Sequence, residues 1–505
     1  MKKTVFIKNA AILTASSLIL RFAGIIFKVW LAAKIGAEGI GLYQLVFSLY
    51  VFVSTFATSG ICTAVTRLVS EELVVGSKSG VRRIVTRCVQ ISLIISFISI
   101  SALFFGGDFI ASAVLKDARA ALSIKILGFS LPFMAISSCV KGYFFACRKA
   151  SPASSSQLIE QAVRIGVIML LVMRYGAMGL TYCCAAVLLG DTIAEGVSCI
   201  YVYLRYKYDY KRLIISAPVT RKDLKITRAV GHIALPITAG KYLNSALRMC
   251  ENILVPHCLS AAGGNGISLF GMIKGMALPL LFFPSTLLSA LSTLLIPEMS
   301  EAAVRGRYGV VRSITYKIIK ITSLVGVLFS ALFLVVGRQI GTLVYKDTGV
   351  GFLLCALSPI VPFMYLDAIA DGILKGLDQQ RFTFYTSVGD SAVRIALILL
   401  FVSKWGIYGF IGIMYLSNFA TCILNTRRLV KISGLKIDLA NTFFIPFCCA
   451  FVLALGVNTV LNLFFALPSL VYIIVICTVC SVLYLLCLYA LGVVDRDDAR
   501  FLYKP

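Results

Sequence analysis

Arg21 and Lys28 stand seven residues apart within one apolar run of the sequence, and Lys241 and Arg248 repeat that spacing in another. Seven residues make two helical turns, so each pair projects from one face. Lys274 lies in a third apolar run, and Glu251, three residues beyond Arg248, is the only acid in the three. A cation at the middle of a bilayer costs roughly 2.5–3.5 kcal/mol on insertion scales. If these runs cross a membrane, five bases against one acid leave four positive charges that must face water, a partner or a ligand. The chemistry such a set can do is to hold an anion in a hydrated cavity.

Other ionisable residues at the same depth are more nearly balanced. Glu160 and Arg164 are four apart, as are Asp390 and Arg394, so each acid shares a helical face with its base. Those two pairs read as structural supports. Asp191 and Glu195 repeat the spacing with two acids. They either serve partner helices or accept a proton, and Asp367 has the same two options. With Glu251 these acids form the candidate set for ion or proton coupling. Lys141, Lys320 and Asp371 fall near enough to segment ends to snorkel.

The elements that must carry these residues follow from composition. Of 505 residues, 59% are hydrophobic and 14% charged, and the mean hydropathy is +0.93. Such a chain cannot cover a water-facing surface, which excludes a soluble globule, a disordered chain, a coiled coil and a secreted disulfide scaffold. An all-α polytopic membrane protein remains, because lipid accepts the apolar surface that water rejects. Apolar periodicity predicts about fourteen crossings, at 10–33, 40–66, 88–106, 121–144, 155–173, 178–204, 229–257, 266–296, 318–337, 350–374, 382–402, 407–426, 441–464 and 468–491. The start, Met1-Lys2-Lys3 and an apolar run, mimics a signal peptide. Arg21 interrupts that run and no small-residue cleavage site follows, so it is expected to be the first helix.

The net charge of +26 is a topology signal. With the N-terminus inside, roughly 31 of 48 Lys and Arg fall at cytoplasmic ends and about seven on the opposite side. Both termini are therefore expected in the cytoplasm, and no nucleic acid is needed to explain the basic balance. The sixteen cysteines lie mostly in apolar segments, where Cys477-x-x-Cys480 reads as packing and not as a metal site. Two histidines, His232 and His257, leave little for metal or acid–base chemistry. Gly240-Lys241 approaches a phosphate loop, but Leu235 and Tyr242 break its spacing. No enzyme, metal or cofactor is expected.

The chain also repeats itself at an offset of 230. Pro132-Phe133-Met134 matches Pro362-Phe363-Met364, and Ala162-Val163-Arg164-Ile165 matches Ala392-Val393-Arg394-Ile395. Ser70-Glu71 matches Ser300-Glu301, Val81-Arg82 matches Val311-Arg312, and Gly41, Gly76, Gly142, Gly176 and Gly179 fall on the same register. Six crossings per copy make the repeat parallel, with a substrate path expected between the halves. The expected organisation is an N-lobe at 1–204, a basic cytoplasmic linker at 205–228, a C-lobe at 229–432, and two further helices with a cytoplasmic tail at 433–505. Prolines at 132, 236, 256, 279, 284, 359 and 362 interrupt the fourth, seventh, eighth and tenth segments, which suits bending during alternating access. The last two helices have no charge in their apolar stretches, which suits contact with lipid or a lipid tail.

Gly36-Ala-Glu-Gly-Ile-Gly-Leu-Tyr-Gln44 and Thr58-Ser-Gly-Ile-Cys-Thr-Ala-Val-Thr-Arg-Leu-Val-Ser-Glu-Glu72 carry a family resemblance. With the repeated Ser-Glu motif, they make the chain resemble the stage V sporulation protein B family. That family belongs to the polysaccharide-transporter branch of the multidrug/oligosaccharidyl-lipid/polysaccharide superfamily. The resemblance implies a monomeric flippase of the bacterial cytoplasmic membrane that moves undecaprenyl-pyrophosphate-linked saccharides, peptidoglycan precursor among them, for spore cortex or cell-wall synthesis. Its implied partners are the lipid-linked anionic saccharide, membrane lipid and cell-wall synthesis enzymes. Related lipid II flippases line a central cavity with arginines of the first and eighth helices. Arg21 matches the first by type, and Lys274 stands in the eighth as lysine, which keeps the charge without a bidentate fork. A multidrug cation antiporter of the same superfamily is the alternative; it would need Asp191, Glu195 and Asp367 to face inward.

Overall fold

The computed structural model describes residues 3–75, 77–212, 223–435, 438–464 and 468–494. Much of the basic linker (213–222) and the tail from 495 lie outside them. Among the described residues every element is helical. In chain order these are α1 (Lys3–Val75), α2 (Lys78–Phe105), α3 (Gly107–Phe109), α4 (Ala120–Gly128), α5 (Leu131–Ala146), α6 (Ser151–Tyr175), α7 (Leu180–Lys211) and α8 (Asp223–Ala261). Then follow α9 (Gly266–Phe270), α10 (Leu278–Phe282), α11 (Ser285–Val304), α12 (Tyr308–Ile340), α13 (Thr348–Leu357) and α14 (Val361–Gly376). The chain closes with α15 (Gln380–Leu397), α16 (Ser403–Ser433), α17 (Ile445–Phe464) and α18 (Ser469–Ala490).

Helical backbone follows every predicted segment to within a few residues. Nine helices among the described residues are long and apolar enough to cross a membrane, or ten if α4 and α5, bent by 41°, form one span. Two of the nine hold two predicted segments each. The first breaks at Gly36 (φ 70°, ψ 178°), and the other, Gln380–Ser433, breaks at Gly406 (φ 56°, ψ −133°). Gly176 and Gly179, the repeat partners of Gly406 and Gly409, likewise sit between α6 and α7, with Gly179 at φ 108°. The seventh and eighth segments are helical but outside the nine. Their charges, prolines and a π-helical stretch at Gly271–Ala277 account for that.

The prolines divide into two kinds. Pro236 and Pro256 lie inside α8. Pro132, Pro279 and Pro362 occupy the first turns of α5, α10 and α14, and Pro359 falls in a 3₁₀ turn at Ser358–Ile360. A first-turn proline lacks only an N–H that the helix leaves unused, so these prolines start new helices after a break.

Packing divides the chain into two compact units, Met1–His257 and Cys258–Pro505. In the first, Ile61, Val65 and Leu68 of α1 meet Val81 and Ile84 of α2, Val140 and Tyr143 of α5, Val202 of α7 and Ile226 and Val230 of α8. In the second, α17 and α18 lie on α12, where Val327, Ala331 and Val336 are buried with Ala450, Ala454, Ile476, Cys480 and Tyr484. Their other faces leave Val452, Leu455, Leu485 and Leu486 more than half exposed, as a lipid-facing surface requires. Packing and sequence register thus divide the chain at different places, because α8 buries its first turns in the core of the first unit.

The dihedrals of Gly36 lie in a region open essentially to glycine alone, and holding another residue there costs on the order of 1–3 kcal/mol. Gly36→Ala is expected to lower the thermal unfolding midpoint of the purified protein in detergent by that margin. An unchanged midpoint would mean that the bend between the first two segments does not need this conformation.

Candidate binding site and buried charge clusters

Four of the five predicted cations fall in the first unit. Arg21 is exposed and Lys28 half-buried on the first part of α1; Lys241 and Arg248 are exposed on α8. Among the described residues none of the four forms an ion pair or hydrogen bond with a protein group. Gly24 lies three residues after Arg21 and four before Lys28, hence on their face, and a Cβ there would stand 4.0 Å from Gln161 Nε2 of α6. The basic face of α1 therefore meets α6.

The second part of α1 holds α8. Gly60 permits the approach, since a Cβ on it would sit 2.3 Å from the carbonyl oxygen of Ala234. Tyr242 packs on Phe52 and Phe56 at ring-centroid distances of 4.5 and 4.3 Å. Thr55 and Ser245 share a hydrogen bond of 3.2 Å. These contacts fix the stretch of α8 that carries Lys241. Glu251 is buried at 4% exposure one helical turn beyond Arg248. Lys274 belongs to the second unit, half-buried on the π-helical stretch. Widened turns of that kind are common where a helix serves a function.

The paired charges are more elaborate than their spacing alone conveys. Arg164 Nη2 donates to Glu160 at 2.7 Å, as i, i+4 spacing predicts. Its Nε donates to Asp191 of α7 at 2.7 Å, its Nη1 to Gln161 at 2.9 Å, and Glu195 stands 3.9 Å from Nη2. Tyr43 of α1 points its hydroxyl at Asp191, 3.5 Å away. So Asp191 and Glu195 both turn toward a guanidinium on the neighbouring helix. In the second unit Arg394 pairs with Asp390 and is bonded to Ser417 at 2.8 Å. Asp367 accepts from Asn425 Nδ2 at 2.8 Å. Tyr43, Gln161, Ser417 and Asn425 are the polar partners that sequence reasoning passed over. Neutral side chains carry no charge to flag them, although the offset of 230 pairs Glu195 with Asn425 and Asp191 with Thr421.

These two units, with their repeated acid–base helix and their glycine breaks, can be set beside known proteins. A family model described as polysaccharide biosynthesis protein matches residues 6–303. The chain belongs to this family. It is 24% identical over 465 residues to stage V sporulation protein B of Bacillus subtilis, covering 90% of this chain and 89% of that one. To the lipid II flippase MurJ of Bacillus subtilis it is 21% identical over 424 residues, covering 77% of this chain and 76% of the other. Among solved structures it resembles lipid II flippase MurJ in its inward closed conformation, with a TM-score of 0.71 at 14% identity over 94% of this chain and 97% of that one. The protein is a multi-pass helical membrane protein with that fold.

Removing one partner of a buried charge set costs about 3–5 kcal/mol, because the remaining charges lose their counter-ion. Arg164→Ala removes the guanidinium bonded to both Glu160 and Asp191, whereas among the described residues Arg394→Ala strands Asp390, so thermal unfolding in detergent should rank Arg164→Ala as the more damaging. The opposite ranking would contradict this account of the two clusters.

Proposed function

We propose that the protein is a flippase that carries a lipid-linked anionic saccharide across the bacterial cytoplasmic membrane, its carrier an undecaprenyl pyrophosphate. The observation that supports this most is the set Arg21, Lys28, Lys241 and Arg248, which has no protein counter-ion among the described residues while the carboxylates nearby are engaged elsewhere. Cations left open at membrane depth are stable only against water or an anion, and a pyrophosphate supplies the anion. Lys274, on the second unit, is assigned to the same anionic substrate in this reading. The names of the relatives, a lipid II flippase and a sporulation protein, agree with a peptidoglycan-type precursor.

In this reading fourteen helices cross the membrane with both termini cytoplasmic, and transport proceeds by alternating access. The polyprenyl tail stays in lipid along α17 and α18, whose outer faces are apolar. The protein acts as a monomer and hands its cargo to cell-wall synthesis enzymes, in spore-forming cells for the cortex. Asp191, Glu195, Glu251 and Asp367 remain candidate coupling groups. The chemistry is transport, with no bond made or broken. The multidrug antiporter alternative fares worse, since Asp191 is bonded to Arg164 and Asp367 to Asn425, where a cationic drug would find them occupied.

A charged hydrogen bond contributes about 1.5–3 kcal/mol, so Arg21→Ala and Arg248→Ala should each slow translocation roughly ten- to hundred-fold. The measurement is flipping of a defined undecaprenyl-pyrophosphate disaccharide in proteoliposomes, with insertion levels held equal. Full activity in both variants would refute the assignment. Resistance to cationic drugs conferred on a sensitive host would favour the antiporter instead.

A further inference from the structure

The cluster around Arg164 does not balance. Three carboxylates, Glu160, Asp191 and Glu195, surround one guanidinium well inside the span α6–α7. Each guanidinium nitrogen already donates to another group: Nε to Asp191, Nη1 to Gln161 and Nη2 to Glu160. Glu195 is left over. It is 8% exposed, near the middle of α7, and makes no hydrogen bond among the described residues; its approach to Arg164 is 3.9 Å, beyond hydrogen-bond reach.

The groups that face Glu195 from neighbouring helices do not neutralise it. From α1 comes Tyr50, from α5 Lys141, and from α6 Glu160 and Arg164; Asp191 lies one turn away on α7. On α4, Lys125 is held by Asp108 at 2.7 Å. Lys141 offsets one negative charge and leaves another. A buried carboxylate with no hydrogen bond among the described residues, whose nearest guanidinium is 3.9 Å away and already bonded to two other acids, costs more as an anion than as an acid.

The second repeat supplies an independent observation. At the register of Glu195 it carries Asn425, and at that of Asp191 it carries Thr421, while the acid–base pair itself is kept as Asp390 and Arg394. The second copy thus keeps one acid–base pair and places a permanently neutral amide, bonded to Asp367, where the first has Glu195. A protonated glutamic acid is the nearest neutral equivalent of that amide.

We propose that Glu195 is a proton-binding site, protonated at neutral pH and holding its proton more tightly while the first unit holds an anion than after the anion is released. The route of coupling is short. Arg164 bonds Gln161, and Gln161 meets the face of α1 that carries Arg21 and Lys28. Negative charge at Glu195 opposes an anion on that face, and its protonation favours one. Substrate binding would then tighten the hold on this proton, and loss of the proton would help expel the substrate. The coupling rests on the flippase reading; the protonation does not.

Two measurements separate them. Infrared spectra of the full chain in lipid nanodiscs should show a carboxylic-acid carbonyl band at neutral pH that fades on alkaline titration. The band should persist in Asp191→Asn and be missing from Glu195→Gln, a variant of nearly the same shape. Its absence from the wild-type protein, or its survival in Glu195→Gln, overturns the proposal. In proteoliposomes with the undecaprenyl-pyrophosphate disaccharide, an imposed pH gradient should change the wild-type translocation rate several-fold, and that response should vanish in Glu195→Gln. A wild-type rate indifferent to the gradient refutes the coupling. A wild-type protein that moves no lipid while keeping the infrared band refutes the flippase reading and leaves Glu195 a proton site.

Discussion

The cost of an ionised side chain in hydrocarbon governs this molecule more than any other term. A charge there must be paired, bonded or left facing water, and each solution appears on particular residues. Asp390 and Arg394 neutralise each other. Asp367 is met by the amide of Asn425. Arg164 gathers carboxylates from two helices. Arg21, Lys28, Lys241 and Arg248 take none of these protein partners among the described residues, which is why the proposed function assigns the anionic cargo to them.

The backbone serves the same end. Close helix packing brings polar groups within bonding distance, and it depends on small residues. Gly60 lets α8 reach α1, and Gly326 lets α14 reach α12, where an added Cβ would lie 2.9 Å from Pro362 Cα. Small hydroxyls such as Thr322, Ser323 and Ser330 are buried along α12, the axis of the second unit. Where a helix must turn back, glycine takes the strained conformation, and proline starts the next helix after a break.

The two copies of the repeat show what has been held and what has drifted. Both keep the acid–base pair four residues apart and the glycines at the break before the next helix. They differ in what the following helix presents to that pair: two carboxylates in the first copy, a threonine and an asparagine in the second. One half is left with surplus acid beside surplus base on α1, and the other is close to neutral.

The sequence by itself determined the membrane class, the helical segments, the repeat and the identity of the charged residues, because hydropathy, period and spacing are one-dimensional properties. It also settled that Glu160 and Asp390 pair with the bases four residues on, since i, i+4 geometry is local to a helix. Tertiary structure alone decided that Asp191 and Glu195 turn toward Arg164, that Asn425 meets Asp367, and that α8 packs with the first unit. Those outcomes depend on which helix faces which, and on how close a glycine lets two backbones come. Neither quantity is written in the spacing of residues along one chain.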